Sequence, residues 1–261
     1  MTDEYDLESG PDPATFAAAA AEPDSDEEAV RSVYAVGVGP GNPEYLTPRG
    51  ERAIREADVV VGFTTVMEFI EGQTDADLLT CGYSDEAEAL EEFAERVAAG
   101  ESGTAVAMGD PNHSGYQFVG KVQKALEREA PEISVRIVPG ISSLQVAASR
   151  ARTPMEDTEF VTLHKSGDLG ADLDRLAAAA DDRHLLVLPR PYDRMPGDIA
   201  AFLLEQGTEP TLETLVLEKL THEDEAVHRF TLAGLSEHAG GNGRDDTPFS
   251  DLVVLVIRQP V

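Results

Sequence analysis

From Val33 onward the chain alternates short, unbroken apolar runs with longer stretches in which apolar residues recur at helical spacing. The runs are rich in valine, leucine and isoleucine, which predicts strands buried on both faces, and the longer stretches predict amphipathic helices. The expected order is strand 33–38, helix 47–57, strand 58–61, a short helix near 65–71, strand 77–81, helix 84–99, strand 103–108, helix 115–129 and strand 133–138. Such alternation is the mark of a mainly parallel sheet covered by helices. The stretch Arg136-Ile137-Val138-Pro139-Gly140-Ile141-Ser142-Ser143 then turns and enters a helix capped by one of the serines.

After Arg152-Thr153-Pro154 the pattern changes: strand 159–164, helix 169–180, strand 184–188, helix 196–206, then strands 212–218, 226–231 and 251–257 with little helix between them. Strands that follow one another so closely predict a mixed sheet. The reading is an α/β protein of two α/β domains, residues 31–152 and 153–261, with Pro154 near the hinge. Residues 1–30 are acidic, broken by Pro11, Pro13 and Pro23, and too poor in apolar surface to order themselves, which predicts a flexible tail.

Charge alters the picture more than length does. The 261 residues carry 50 Asp and Glu against 20 Lys and Arg, a net charge of −30. The first 30 residues hold ten acids and no base, leaving 40 acids and 20 bases spread over the rest. Such a surface repels itself unless salt screens it, which predicts a halophilic cytoplasm and disfavours nucleic acid or an anionic membrane as partner. The single cysteine, Cys81, has no partner for an internal disulfide, and the acidic start is unlike a secretory signal. The longest apolar run near the C-terminus, 252–257, is too short to cross a bilayer. The six histidines lack metal-ligand spacing, so no metal site is expected.

Candidate chemistry gathers at the carboxyl ends of strands. Gly37-Val38-Gly39-Pro40-Gly41-Asn42-Pro43 follows the first strand, Gly109-Asp110-Pro111-Asn112-His113 follows the strand at 103–108, and Pro139-Gly140-Ile141-Ser142-Ser143 follows the strand at 133–138. In a parallel sheet all three loops leave at one edge, where ligands bind. The first does not satisfy G-x-G-x-x-G, and no Lys-Ser or Lys-Thr makes it a phosphate loop. On its own it can also be a tight turn that merely connects strand to helix; three small-residue loops on one edge favour a pocket. Asp110 serves either a ligand or the turn, and His113 reads as a ligand contact or a plain loop residue. Ser142 or Ser143 caps a helix in either case.

In combination these motifs resemble the tetrapyrrole methylases, over residues 32–258. Within that family the chain looks most like the cobalt-precorrin-7 C5-methyltransferases, on Ala57-Asp58-Val59-Val60-Val61-Gly62, Leu217-Glu218-Lys219-Leu220 and Pro248-Phe249-Ser250-Asp251-Leu252. It departs from the family at Asn42, usually Asp, at Met108, usually Ser or Gly, and at His113-Ser114, usually apolar or aromatic.

The resemblance implies an S-adenosylmethionine-dependent C-methyltransferase, with the cofactor folded in the cleft between the two domains and held largely by backbone. Carried onto matching positions, it implicates Pro40, Met108, Gly109, Asp110, His113, Ser142 and Ser143, and in the second domain Pro189 and Leu220. It implies a cobalt-containing tetrapyrrole as substrate, methylated at C5, with another corrin-ring or sirohaem-pathway position as the alternative. Gly39 and Gly41 are the candidate substrate contacts of the first loop. Because that substrate bears many carboxylates, Lys165, Arg190 and Arg194 are candidate anchors, or else plain surface charges. It further implies a homodimer and a separate decarboxylating C15-methyltransferase as pathway partner. No catalytic acid or base is assigned, since the donor already carries a reactive methyl and alignment is the main requirement. A non-catalytic nucleotide-binding module is the reading from a different class.

Overall fold

The computed structural model describes residues 13–18, 32–113, 115–165, 167–240 and 243–260, and the chain divides into two compact units between Ser142 and Ser143. Composition put the boundary at 152/153. The intervening helix α6 (Ser143–Ala151) packs on strands of the second unit, which is why it counts with that unit.

The first unit contains α1 (Pro13–Ala17), β1 (Ser32–Gly37), α2 (Pro48–Arg55), β2 (Val59–Phe63), α3 (Thr64–Met67), β3 (Asp77–Cys81), α4 (Glu86–Ala98), β4 (Gly103–Ala107), α5 (Tyr116–Glu129) and β5 (Ser134–Val138). The strands pair in the order β3-β2-β4-β1-β5, all parallel, as the apolar runs predict. Both faces are covered. Ile54, Val60, Val66, Ile70, Val106 and Val138 form the core on the α2 and α3 side. Leu90, Phe93, Val97, Phe118, Val122 and Leu126 form the core under α4 and α5. Packing there is tight: a Cβ on Gly103 would lie 2.6 Å from Val97 and 2.7 Å from Phe93. Between α4 and α5 the buried Lys121 ammonium pairs with the buried Glu86 carboxylate.

Local signals set the ends of these elements. Thr47 accepts a hydrogen bond from Gly50 N at 3.1 Å and Pro48 occupies the first helical position, so α2 starts there. Asn42, at a position where the resemblance expects Asp, does a cap's work: its Oδ1 accepts from Glu44 N at 2.9 Å and starts a short 3-10 turn.

Of the stretch expected to be a tail, only residues 13–18 are described, and they carry α1, packed on α5 with the Phe16 ring 5.8 Å from Tyr116. Phe16 finds aromatic cover, which composition alone does not reveal. The rest of 1–30 lies outside the described residues.

The second unit contains α6, β6 (Thr158–Thr162), α7 (Gly170–Ala179), β7 (His184–Leu188), α8 (Pro196–Glu205), β8 (Glu213–Glu218), β9 (Ala226–Thr231), α9 (Leu232–Ser236) and β10 (Val253–Arg258). Its strands pair in the order β6-β7-β10-β8-β9, with β6 and β7 parallel and the other pairs antiparallel. This is the mixed sheet that the crowded strands predict. Its core is Leu163, Leu176, Leu185, Val187, Ile199, Leu203, Val216, Leu255 and Ile257, among others.

Candidate functional site

In the first unit β1 connects toward β2 through α2 on one face of the sheet, whereas the neighbouring β4 connects to β5 through α5 on the other face. Adjacent strands whose connections leave to opposite faces open a crevice at their carboxyl ends. The three glycine-bearing loops meet there. Gly109 N donates to Gly39 O at 2.8 Å and Gly39 N donates to Gly109 O at 3.3 Å, so the loops after β1 and β4 are joined backbone to backbone. The third loop packs into the same seam. A Cβ on Gly37 would lie 2.4 Å from Gly109 O and 2.7 Å from Gly140 N, and one on Gly140 would lie 2.1 Å from Gly109 O. Only glycine allows these backbones to approach so closely.

Asp110 ties the loops together through its carboxylate. Oδ1 accepts from Asn112 N at 2.9 Å, closing the turn, and Oδ2 accepts from Gly140 N at 3.0 Å, reaching the third loop. Of the two readings open for Asp110, the turn is observed, and the same carboxylate also ties the second loop to the third. His113 Nδ1 lies 2.9 Å from Ser142 Oγ, a second tie between the same loops. Burial pushes the His113 imidazole below its ordinary pKa, against an opposing pull from Asp110, so it is held as the neutral base.

One surface of this seam is open. Gly109 has φ +65°, and a Cβ there would meet nothing nearer than Ser142 Cα at 3.7 Å. A molecule can approach the Cα face of Gly109 while the other side of the seam is filled by Gly37, Gly39 and Gly140. Pro40 and Gly41 stand half-buried beside it, and Met108 packs its side chain on the core below the loop. The atoms nearest this open face are main chain, the Ser142 Cα at 3.7 Å and the Ile141 carbonyl oxygen at 3.9 Å from a Cβ built on Gly109.

The second unit holds its candidates at the carboxyl ends of β6, β7 and β8. Pro189 and Leu220 are buried there. Ser143 opens α6. Lys165 pairs with Asp172 at 2.7 Å, and Arg190 pairs with Asp193 at 2.5 Å while its Nη1 donates to the Gly167 carbonyl at 3.0 Å and the Lys165 carbonyl at 3.3 Å. These two candidate anchors thus stand together with acidic partners already in place. Arg194 is exposed; its Nη1 donates to the Asp193 carbonyl at 3.4 Å and its backbone N to the Arg190 carbonyl at 2.9 Å.

Other features of this edge carry no sequence signal. Lys219 at φ +48° and Thr221 at φ +72° bracket Leu220, and Tyr192 at φ +59° follows β7. Non-glycine residues in this conformation are strained and cluster at functional sites. Glu218 accepts from Ser250 N at 2.6 Å and lies 2.8 Å from His228 Nε2. Burial would raise its pKa, but the bonds from Ser250 and His228 outweigh it and hold the carboxyl below the usual range. Glu218, Lys219, Tyr192, His228, Arg244 and Phe249 line a cavity of about 490 Å³. A periodicity argument sees only strand ends here.

A two-unit α/β protein with a glycine-lined switch-point seam defines a class of fold, and comparison with known proteins places the chain within it. The model of the Tetrapyrrole (Corrin/Porphyrin) Methylases matches residues 32–236, and the chain belongs to that family. The family's methyl donor is S-adenosylmethionine, which is the cofactor of this chain. A probable cobalt-precorrin-7 C(5)-methyltransferase of Methanocaldococcus jannaschii is 30% identical over 226 residues, covering 86% of this chain and 96% of that protein. The structure of a cobalt precorrin-4 methyltransferase superposes with TM-score 0.67 at 19% identity, covering 87% of this chain and 94% of that one. The uroporphyrin-III C-methyltransferase of Thermus thermophilus complexed with S-adenosylhomocysteine superposes with TM-score 0.65 at 22% identity, covering 87% and 91%.

Proposed function

We propose that the chain methylates C5 of a cobalt-containing, ring-contracted tetrapyrrole, cobalt-precorrin-7, in cobalamin biosynthesis. The observation that carries this reading is the 30% identity to the Methanocaldococcus jannaschii protein across nearly the whole of both chains. The seam supports it, because methyl transfer from a sulfonium requires alignment more than acid or base strength. Bound S-adenosylmethionine supplies an electrophilic methyl group on a sulfonium that leaves as a neutral thioether.

The chain's own residues do the positioning. Main-chain groups of Met108, Gly109 and Asp110 present a surface fixed by the Gly39 pairing and by the Asp110 and His113 ties to residues 140 and 142. Pro40, Ser142, Ser143, Pro189 and Leu220 complete the proposed cofactor contacts. His113, held neutral, adds no positive charge beside a cationic donor. Gly39 and Gly41 bound the proposed substrate side, and Lys165, Arg190 and Arg194 are the proposed carboxylate anchors. For Lys165 and Arg190 this means exchanging Asp172 and Asp193 for substrate carboxylates. The −30 charge supports a halophilic, cytoplasmic setting, and the resemblance supports a homodimer with a decarboxylating C15-methyltransferase as pathway partner.

The test is incubation of purified cobalt-precorrin-7 with the protein and methyl-labelled S-adenosylmethionine, with the labelled carbon located by NMR. Label at C5 is the expected result. Label at another ring carbon moves the protein to a different step, and binding of ATP or NAD without S-adenosylhomocysteine would make it a nucleotide-binding module.

A further inference from the structure

The turn after β8 is held against its own preference. Lys219 and Thr221, at φ +48° and +72°, lie in the left-handed region on either side of Leu220. A β-branched residue such as Thr221 rarely adopts that conformation, which persists only where the surroundings impose it. Main-chain bonds supply part of the restraint. Lys219 N donates to Leu252 O at 2.7 Å, His222 N to Lys219 O at 3.0 Å and Glu225 N to His222 O at 3.1 Å. None of these is made by Thr221, and its buried hydroxyl has no hydrogen bond among the described residues.

What Thr221 does make is a bond from its backbone N to Glu225 Oε2, at 2.7 Å. The same carboxylate is gripped by Arg150 near the end of α6, with Nε 2.7 Å from Oε1 and Nη2 3.2 Å from Oε2. A planar guanidinium that meets both oxygens fixes the orientation of the carboxylate as well as neutralising it. The Arg150 fork, helped by the Thr221 amide, holds the Glu225 carboxyl below the usual range against the opposing effect of burial. An exposed ion pair contributes little to stability by itself, and the Arg150 side chain keeps 39% of its surface exposed. The third bond, to a strained main chain, gives this pair a task that an ordinary surface bridge lacks. It also links two elements. α6 opens at Ser143 and the turn carries Leu220, so the pair ties together the parts of the second unit that bear two of its proposed cofactor contacts.

We infer that Arg150 and Glu225 are a positioning pair for the cofactor: they hold residues 219–221 in the left-handed turn that presents the Leu220 main chain, and they lock that turn to α6. Their role rests on the proposed placement of Leu220 at the cofactor. Neither side chain needs to touch it.

The test measures S-adenosylhomocysteine affinity by calorimetry, and amide hydrogen exchange at residues 219–222, at the salt where each protein is fully folded. The proteins are wild type, Glu225→Ala, Glu225→Gln, Arg150→Met and the double variant Arg150→Met with Glu225→Ala. Arg96→Met is the control, since it removes a comparable pairing, with Asp77 and Glu101, beside the amino ends of β3 and β4. Glu225→Ala should weaken affinity roughly tenfold, the scale of one charge-assisted hydrogen bond. The double variant should match Glu225→Ala alone, because the two residues act as one unit. Glu225→Gln, which keeps an oxygen for Thr221 N, should fall between wild type and Glu225→Ala. Exchange at 219–222 should quicken in Glu225→Ala, and S-adenosylhomocysteine should slow it in wild type. Wild-type affinity in folded Glu225→Ala overturns the positioning role. If S-adenosylhomocysteine still protects 219–222 in wild type, only the role of the pair fails and the Leu220 contact stands; without that protection the placement of Leu220 fails too. An equal loss of affinity in Arg96→Met would mark a general effect of lost ion pairs and would also overturn the role.

Discussion

Replacing Gly109 by alanine separates backbone strain from ligand exclusion. The residue sits at φ +65°, where an L-residue costs about 1–2 kcal/mol because its Cβ crowds the carbonyl oxygen. No steric term is added, since the nearest atom to the new Cβ is 3.7 Å away, and neither hydrogen bond to Gly39 is removed. Stability should therefore fall by about 1–2 kcal/mol in urea unfolding, which a folded protein of this size tolerates. Affinity for S-adenosylhomocysteine should fall further, by at least tenfold or about 1.4 kcal/mol, because the new methyl occupies the one open face of the seam. Gly72→Ala is the control: φ is +78° and nothing lies within 4 Å, so it carries the strain without the site. The assay is calorimetric titration of each variant at the molar salt where it is fully folded. Equal loss of stability in both variants, with S-adenosylhomocysteine bound at wild-type affinity by Gly109→Ala, would refute the assignment of that face to the cofactor.

Gly140→Ala should behave differently from Gly109→Ala, losing about 1–3 kcal/mol or more from backbone collision with Gly109 O, measured by the same urea unfolding. Lys121→Met should cost about 3–5 kcal/mol by leaving the buried Glu86 carboxylate unpaired, and Lys121→Met with Glu86→Leu should regain most of it. Because burial lowers the His113 pKa in the folded state, the unfolded chain binds the extra proton first. The stability tied to neutral His113 is then complete above pH 6.5 and lost as pH falls toward the lowered value, so unfolding free energy should drop faster over that window in wild type than in His113→Gln. The unfolding midpoint should rise from dilute buffer to molar KCl as the −30 charge is screened, and a midpoint indifferent to salt would remove the halophile reading.

Much of the architecture is legible in the residues because the strands are apolar on both faces. Val59–Phe63, Gly103–Ala107 and His184–Leu188 contain almost nothing that a solvent-facing strand would need, so they announce a covered sheet. The five-residue helix α9 is not legible. It is shorter than two turns, follows β9 without a break, and is started by Thr231 accepting from Gly234 N at 3.0 Å. The meeting of residues 39, 109 and 140 follows from glycine and proline at three strand ends once the strands are known to be parallel. That Asp110 and His113 bind the loops to one another does not follow, since both bonds cross about 30 residues of sequence. The contact between Phe63 and Tyr83 is hidden for a related reason: one residue closes β2, the other follows β3, and only the pairing of those strands brings them together.

The strand order also dictates when the site can exist during synthesis. β1 emerges first in its sheet, yet its only neighbours are β4 and β5, the last two strands of the first unit to be made. β2 and β3 can pair on emergence, but β1 must wait with its backbone groups unmatched until residues 103–138 have followed. Closing Gly39 onto Gly109 spans 70 positions of chain, so it comes after local pairing and bears the entropy of that loop. The glycine seam is therefore a late product of folding, and any ligand taken up at the proposed site can stabilise β1 only after every other strand of the unit has found its partner.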